Sequence, residues 1–280
     1  MLRLSLLLVL LLLNASLVWS SDFNTLIIEK IKKMPQGGDY ATYRKDLPEA
    51  DRFRDLYRTV DDLGGAMAVE SSGVLKVSLK RAADYSFCSS ATYLLFCEVI
   101  GELQRTGRVS TDAALSRELA NVGDKVDVIH GKLDGIGIFG HWNADGPGTA
   151  VLFERLDLGP NFTDFNQAKP GDFLKIFWND SIGKGERGHL VVYLGQDPVT
   201  GAVQVWSSNV ANADASSGYG MMWIDRSRIV RAIFSRLERP ENLSKWLSFS
   251  ESERRSEYLI QIRKVPSTES EMKTVTRAGN

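Results

Sequence analysis

The sequence predicts an α+β fold in which N-terminal helices, one of them carrying a cysteine, pack on an antiparallel β-sheet. Three observations lead there. Before residue 157 the apolar residues recur mainly at helical spacing, as in Phe23, Leu26, Ile27, Ile31 and Met34. From Pro170 onward they alternate along short segments divided by turn signals, which is the spacing of strands. An apolar fraction of 43% with 25% charged residues supplies an ordinary core for one large domain.

Taken in order, residues 1–21 read as a signal peptide. Arg3 supplies positive charge, Leu6 to Leu13 form an apolar run, and Val18 and Ser20 suit the small-residue cleavage positions. The run is short for a membrane span. The mature chain is therefore expected to be secreted or periplasmic, without a stable membrane anchor. Residues 22–70 form a helical N-terminal extension, with one helix over Phe23–Met34 and another from Pro48 toward Asp62. A main domain follows over residues 71–263, and residues 264–280 read as a disordered polar tail.

Within the main domain the decisive stretch is Asp84-Tyr-Ser-Phe-Cys88-Ser-Ser-Ala-Thr-Tyr-Leu-Leu-Phe-Cys97. Small polar residues give way to a helix-forming apolar run, expected over residues 87–105. Ser86 is expected to cap this helix, with Cys88 in its first turn. There the free N–H groups and the positive end of the helix dipole favour a thiolate. Cys97 lies nine residues on, about 13 Å along a helix axis at roughly 1.5 Å per residue. That exceeds the roughly 7 Å a disulfide spans between Cα atoms. In a continuous helix the two cannot pair; Cys97 reads as a core thiol and Cys88 as a free one.

A thiolate needs a base, and the chain has three histidines. His189 heads the alternating strand Gly188-His-Leu-Val-Val-Tyr-Leu-Gly195, with His189, Val191 and Tyr193 on one face. The cysteine helix is expected to cross that face. The next strand, Val203-Gln-Val-Trp-Ser-Ser-Asn209, offers Ser207, Ser208 or Asn209 to orient the imidazole. Asn209 is preferred because its amide oxygen can accept from the ring N–H. Ser207 and Tyr85 are expected to line the substrate and oxyanion side. Gly135-Ile-Gly-Ile-Phe-Gly140 spells a dinucleotide fingerprint, but it reads as a loop continuing to Gly148, with no helix opening inside it. Its Asn143 suits the wall of a substrate cleft; a surface connection is the other reading.

Several classes are disfavoured. A net charge of −1 gives no electrostatic footprint for nucleic acid. The three histidines and two cysteines show no zinc-ligand spacing, so no metal or cofactor is expected. No Gly-x-Ser-x-Gly occurs.

The order Ser-Phe-Cys88-Ser-Ser, then Lys169-Pro-Gly-Asp-Phe-Leu-Lys-Ile-Phe-Trp178, then Gly188-His-Leu-Val-Val-Tyr-Leu-Gly195 resembles the papain-like cysteine hydrolases of the NlpC endopeptidase and CHAP amidase group. The resemblance covers about Tyr85 to Asn209. It departs from the family's usual pattern at Phe87 and Ser90, where aspartate and glycine are typical. No histidine follows His189 to act as third residue, and the stretch from cysteine to histidine is long. It implies a cysteine-bearing helix on an antiparallel sheet, Cys88 as nucleophile, His189 as base and Asn209 orienting the ring. It also implies cleavage of amide bonds in a peptide or peptidoglycan-like substrate. The alternative is a non-catalytic peptide- or glycan-binding module on the same fold.

Overall fold

A computed structural model describes residues 23–82, 84–210 and 217–279; the expected signal peptide lies outside them. The chain begins with α1 (Phe23–Ile31), strand β1 (Asp39–Tyr40), α2 (Arg54–Gly65) and the hairpin β2–β3 (Met67–Val69, Leu75–Val77). Strand β4 (Tyr85–Ser86) runs parallel to β1, with Tyr40 opposite Ser86, and leads into α3 (Cys88–Arg105). Helices α4 (Ala113–Ala120), α5 (Lys125–Ile129), α6 (Gly137–Asn143) and α7 (Gly148–Leu156) follow. Then come β5 (Asn161–Phe162), β6 (Phe173–Phe177), β7 (Gly188–Gln196), β8 (Val203–Ser207), β9 (Gly220–Ile224) and β10 (Arg231–Ser235). They form one sheet in the order β5-β10-β6-β7-β8-β9, every neighbour antiparallel. A 3₁₀ segment (Pro240–Ser248), α8 (Glu257–Ile262) and α9 (Glu269–Thr276) close the chain. The fold class is thus α+β, as the two periodicities predict.

Helix α3 is the centre of the main core. Leu94, Leu95, Phe96, Cys97, Val99 and Ile100 are all fully buried, and each large apolar side chain contributes about 1.5–3 kcal/mol on burial. The same cluster takes in Leu190 and Val192 of β7, Phe173 of β6 and Trp206 of β8. Val191, Tyr193 and Ile176 belong to a second cluster on the opposite sheet face. Helix α3 therefore packs on the Leu190–Val192 face. The expected crossing over His189, Val191 and Tyr193 is corrected by one residue of strand parity.

The Pro-Gly-Asp turn before β6 is structural. Asp172 is fully buried and accepts two bonds from Arg236, at 2.9 and 2.7 Å, one from the Lys169 N–H at 2.7 Å and one from Asn24 Nδ2 at 2.8 Å. Gly171 beside it has φ +101°, and a Cβ there would meet Asn24 backbone at 2.7 Å. Only glycine lets α1 come this close. Lys30 of α1 also pairs with Glu98 and Glu102 of α3, at 2.9 and 3.1 Å. Residues 23–70 are therefore bound to the main domain by buried charge at two places.

Two local expectations are corrected. Residues 264–280 carry α9, which the Thr268 hydroxyl caps and Met272 anchors in full burial. The glycine stretch over residues 135–148 contains α6, whose Trp142 packs into the aromatic core against Phe96 and Phe173.

Candidate active site

Cys88 is the first residue of α3, but its cap is not Ser86. Phe87 occupies the cap position in extended conformation, and its N–H donates to Ser90 Oγ at 3.0 Å. Ser86 instead shares a 2.6 Å hydroxyl–hydroxyl bond with Ser208. Both cysteines are free, Cys88 half-buried and Cys97 buried, so the spacing argument against a disulfide holds.

The helix start lies at the beginning of β7, where the Cys88 thiol meets the His189 ring and the Leu190 N–H. Burial alone would push this thiol up. The contact with His189, the Leu190 N–H and the charge of Lys175 outweigh it, and the thiol comes down to about 7 from an ordinary 9.0. Each of the three stabilises sulfur as an anion, which is what separates a reactive cysteine from an inert one.

Lys175 is set beside the thiol by register, since β6 and β7 place it opposite Leu190 on the same face. Its ammonium pairs with Glu186 at 2.6 Å. Glu186, 4% exposed at its side chain, also accepts the N–H groups of Gly146 and Gly183, at 2.6 and 2.7 Å. Burial opposes the Lys175 charge, but Glu186, Asp145 and Cys88 hold it protonated. A lysine inside the buried run Phe-Leu-Lys-Ile-Phe is the sequence signal that marks it.

Tyr40 is the other neighbour, from the segment read as a separate extension. The parallel pairing of β1 with β4 brings its hydroxyl against the Cys88 thiol. Burial and the adjacent sulfur charge push this hydroxyl upward, so it stays a protonated donor. Nothing local in Gly37-Gly-Asp-Tyr40 announces the role, which arises from a contact across nearly fifty residues.

Two cavities flank the pair. The larger, about 460 Å³, is lined by Cys88, Ser89, Asn143, Asp145, Lys175 and other residues. Asn143 stands there as expected, its Oδ1 accepting the Ser89 hydroxyl at 2.6 Å. The smaller, about 200 Å³, is lined by His189 with Tyr40, Asn209, Trp178, Trp223 and others. Gly188 touches both. A Cβ at Gly188 would meet Lys175 Nζ at 2.9 Å.

The remaining expected residues divide. Asn209 borders the same small cavity as His189, exposed and with φ +69°, and makes no hydrogen bond to the ring among the described residues. His189 is 5% exposed and its Nε2 is without a partner. Ser207 is corrected as a substrate contact: it is fully buried and donates to the Leu190 carbonyl at 2.8 Å, fixing β8 to β7. Ser208 is likewise engaged, with Ser86. Tyr85 lies beneath the Arg58 guanidinium, 5.0 Å from its ring centre, and lines neither cavity. Tyr40 takes the place next to the sulfur that Tyr85 was expected to have.

His141 is fully buried away from the cleft. Its Nδ1 donates to the Gly137 carbonyl at 2.7 Å and Nε2 accepts from Arg155 at 2.7 Å. Burial holds it neutral, near 4. Among the described residues no three His, Cys, Asp or Glu side chains gather as a metal site. No helix among them is long and apolar enough to cross a membrane. Comparison with protein-family models, with curated proteins and with solved structures yields no match in any of the three.

Proposed function

We propose that this chain is a papain-like cysteine hydrolase that cuts amide bonds, with Cys88 as nucleophile and His189 as base. The observation that carries this reading is the thiol at a helix start, beside an imidazole and lining a cavity of about 460 Å³, with its acidity raised to about 7. A merely structural cysteine gains nothing from such surroundings. Cys97 in the same helix shows the ordinary outcome of burial.

In the proposed reaction His189 takes the thiol proton, and the thiolate forms a C–S bond at the carbonyl carbon. The carbonyl oxygen becomes an oxyanion that accepts from the Tyr40 hydroxyl and from first-turn N–H groups of α3, which have no partner within the helix. As the C–N bond breaks, the imidazolium returns the proton to the leaving amine. Water then attacks the thioester carbon and gives a proton to His189; the C–S bond breaks, a carboxylic acid is released, and the imidazolium returns the proton to the sulfur. Since Nε2 makes no bond, we assign proton exchange with sulfur to Nδ1. Nε2 is left for the orienting group, and Asn209 is the amide bordering the same cavity. Lys175, held by Glu186, keeps positive charge beside the thiolate throughout.

By the resemblance of residues 85–209, the substrates are peptides of the kind found in cell walls, and the chain works after export. Incubation of purified protein with peptidoglycan fragments, with new amines followed by mass spectrometry, tests this. Wild type is expected to release amines and Cys88→Ser to release none. Equal release by both would remove Cys88 from the mechanism.

A further inference from the structure

The two cavities differ in more than size, and their placement about the reacting pair gives each a side of the scissile bond. The larger touches the sulfur, to which the acyl group becomes attached. The smaller touches His189, which must deliver a proton to the departing nitrogen. The departing amine therefore lies over the smaller cavity.

Trp178, Trp223 and Arg228 line that cavity, and Trp223 is 55% exposed. The Arg228 guanidinium sits over the Trp178 ring at 5.8 Å. This stacking holds it in place. Among the described residues the guanidinium makes no direct ion pair; Asp225, whose Oδ1 accepts from the Ser227 hydroxyl and N–H at 2.7 and 2.9 Å, is near enough only to feel its charge. The other polar side chains there are Tyr40, Asn209 and the His189 ring, the last 5% exposed. A planar cation on an aromatic wall, beside the ring that must reprotonate the departing nitrogen, suits an amine that also bears a carboxylate. About 200 Å³ is below the roughly 300 Å³ at which pockets for drug-sized ligands begin. That favours one amino acid over a disaccharide.

Resting on the hydrolase reading above, we infer that the cavity at His189, Trp178, Trp223 and Arg228 is the leaving-group subsite, and that it takes an amino acid whose free carboxylate pairs with Arg228. The bond cut is then the last amide before a terminal carboxylate, and the same subsite seats a free amino acid as the product to be released.

Equilibrium titration followed by tryptophan fluorescence tests the assignment, using the full chain carrying Cys88→Ser so that no turnover intervenes. The probes are phenylalanine and phenylalaninamide, which differ only in the carboxylate. Phenylalanine is expected to bind about 10- to 100-fold more tightly, the range for one hydrogen bond to a charged group. In Arg228→Gln that preference is expected to fall to about one. Equal binding of the two probes, or a preference unchanged by Arg228→Gln, overturns the subsite. A burst of nitrophenolate from p-nitrophenyl acetate with otherwise wild-type chain separately reports the Cys88 thiolate. Its absence with carboxylate-selective binding intact would sink the hydrolase reading and leave Arg228 as a carboxylate site.

Discussion

Cys88 and Cys97 belong to the same helix, nine residues apart, and their surroundings drive them in opposite directions. Cys97 is sealed among apolar side chains, and burial holds its thiol far above the usual range. Cys88 is also desolvated, yet an imidazole, an N–H and an ammonium bring it down to about 7. Desolvation alone makes a thiol inert. It makes a reactive thiol only when the lost water is replaced by fixed positive charge and donors.

This contrast can be broken most sharply by exchanging each sulfur for oxygen. Cys88→Ser is expected to lower amide hydrolysis at least about a thousandfold, while Cys97→Ser leaves turnover per folded molecule unchanged; amine release reports both. The next largest effect concerns the charge that separates the two thiols. Glu186→Ala strands Lys175 in the protein interior, and about 3–5 kcal/mol of stability should be lost in a urea titration. A loss below about 1 kcal/mol would show that the pair is solvated.

Removing the imidazole sharpens the comparison further. Iodoacetamide labelling of Cys88 should follow a midpoint near pH 7, with thiolate accumulating above it, and in His189→Ala the midpoint should move toward 9. At pH 7 that takes the thiolate from about half to about 1%, so labelling slows roughly 50-fold. The sign carries into folding. A depressed thiol pKa stabilises the native state fully above 9, and this contribution fades as pH falls through 7. An unchanged midpoint in His189→Ala would show that the imidazole does not activate the sulfur. The smallest effect is expected at the inert cysteine, where Cys97→Ser buries a hydroxyl. It should cost about 1–3 kcal/mol, visible as a lower Tm with the Cys88 labelling rate unaltered.

What the sequence made legible was local. The helix from Cys88 shows in its apolar run, β7 in its alternation, and the turn before β6 in Pro-Gly-Asp. Asn143 and His189 reach the cleft because their own segments carry them there. The side of β7 that α3 would choose was not legible, because helix packing depends on which sheet face the whole layer buries. The Ser86 cap failed for a related reason: a distant hydroxyl on Ser208 claimed it. Helix α6 was masked by its glycines, and α9 by its polar composition, yet a buried Trp142 and Met272 hold them. Tyr40 was invisible because a two-residue parallel pairing has no periodicity to read.

The Asp172 junction has a practical meaning for anyone dissecting this chain. Four donors converge on one carboxylate, and one of them comes from Asn24. A shortened version beginning at residue 71 would lose that amide and would also discard Tyr40. Such a fragment would be a poor stand-in for the intact protein, and silence from it in an assay would say little about the whole.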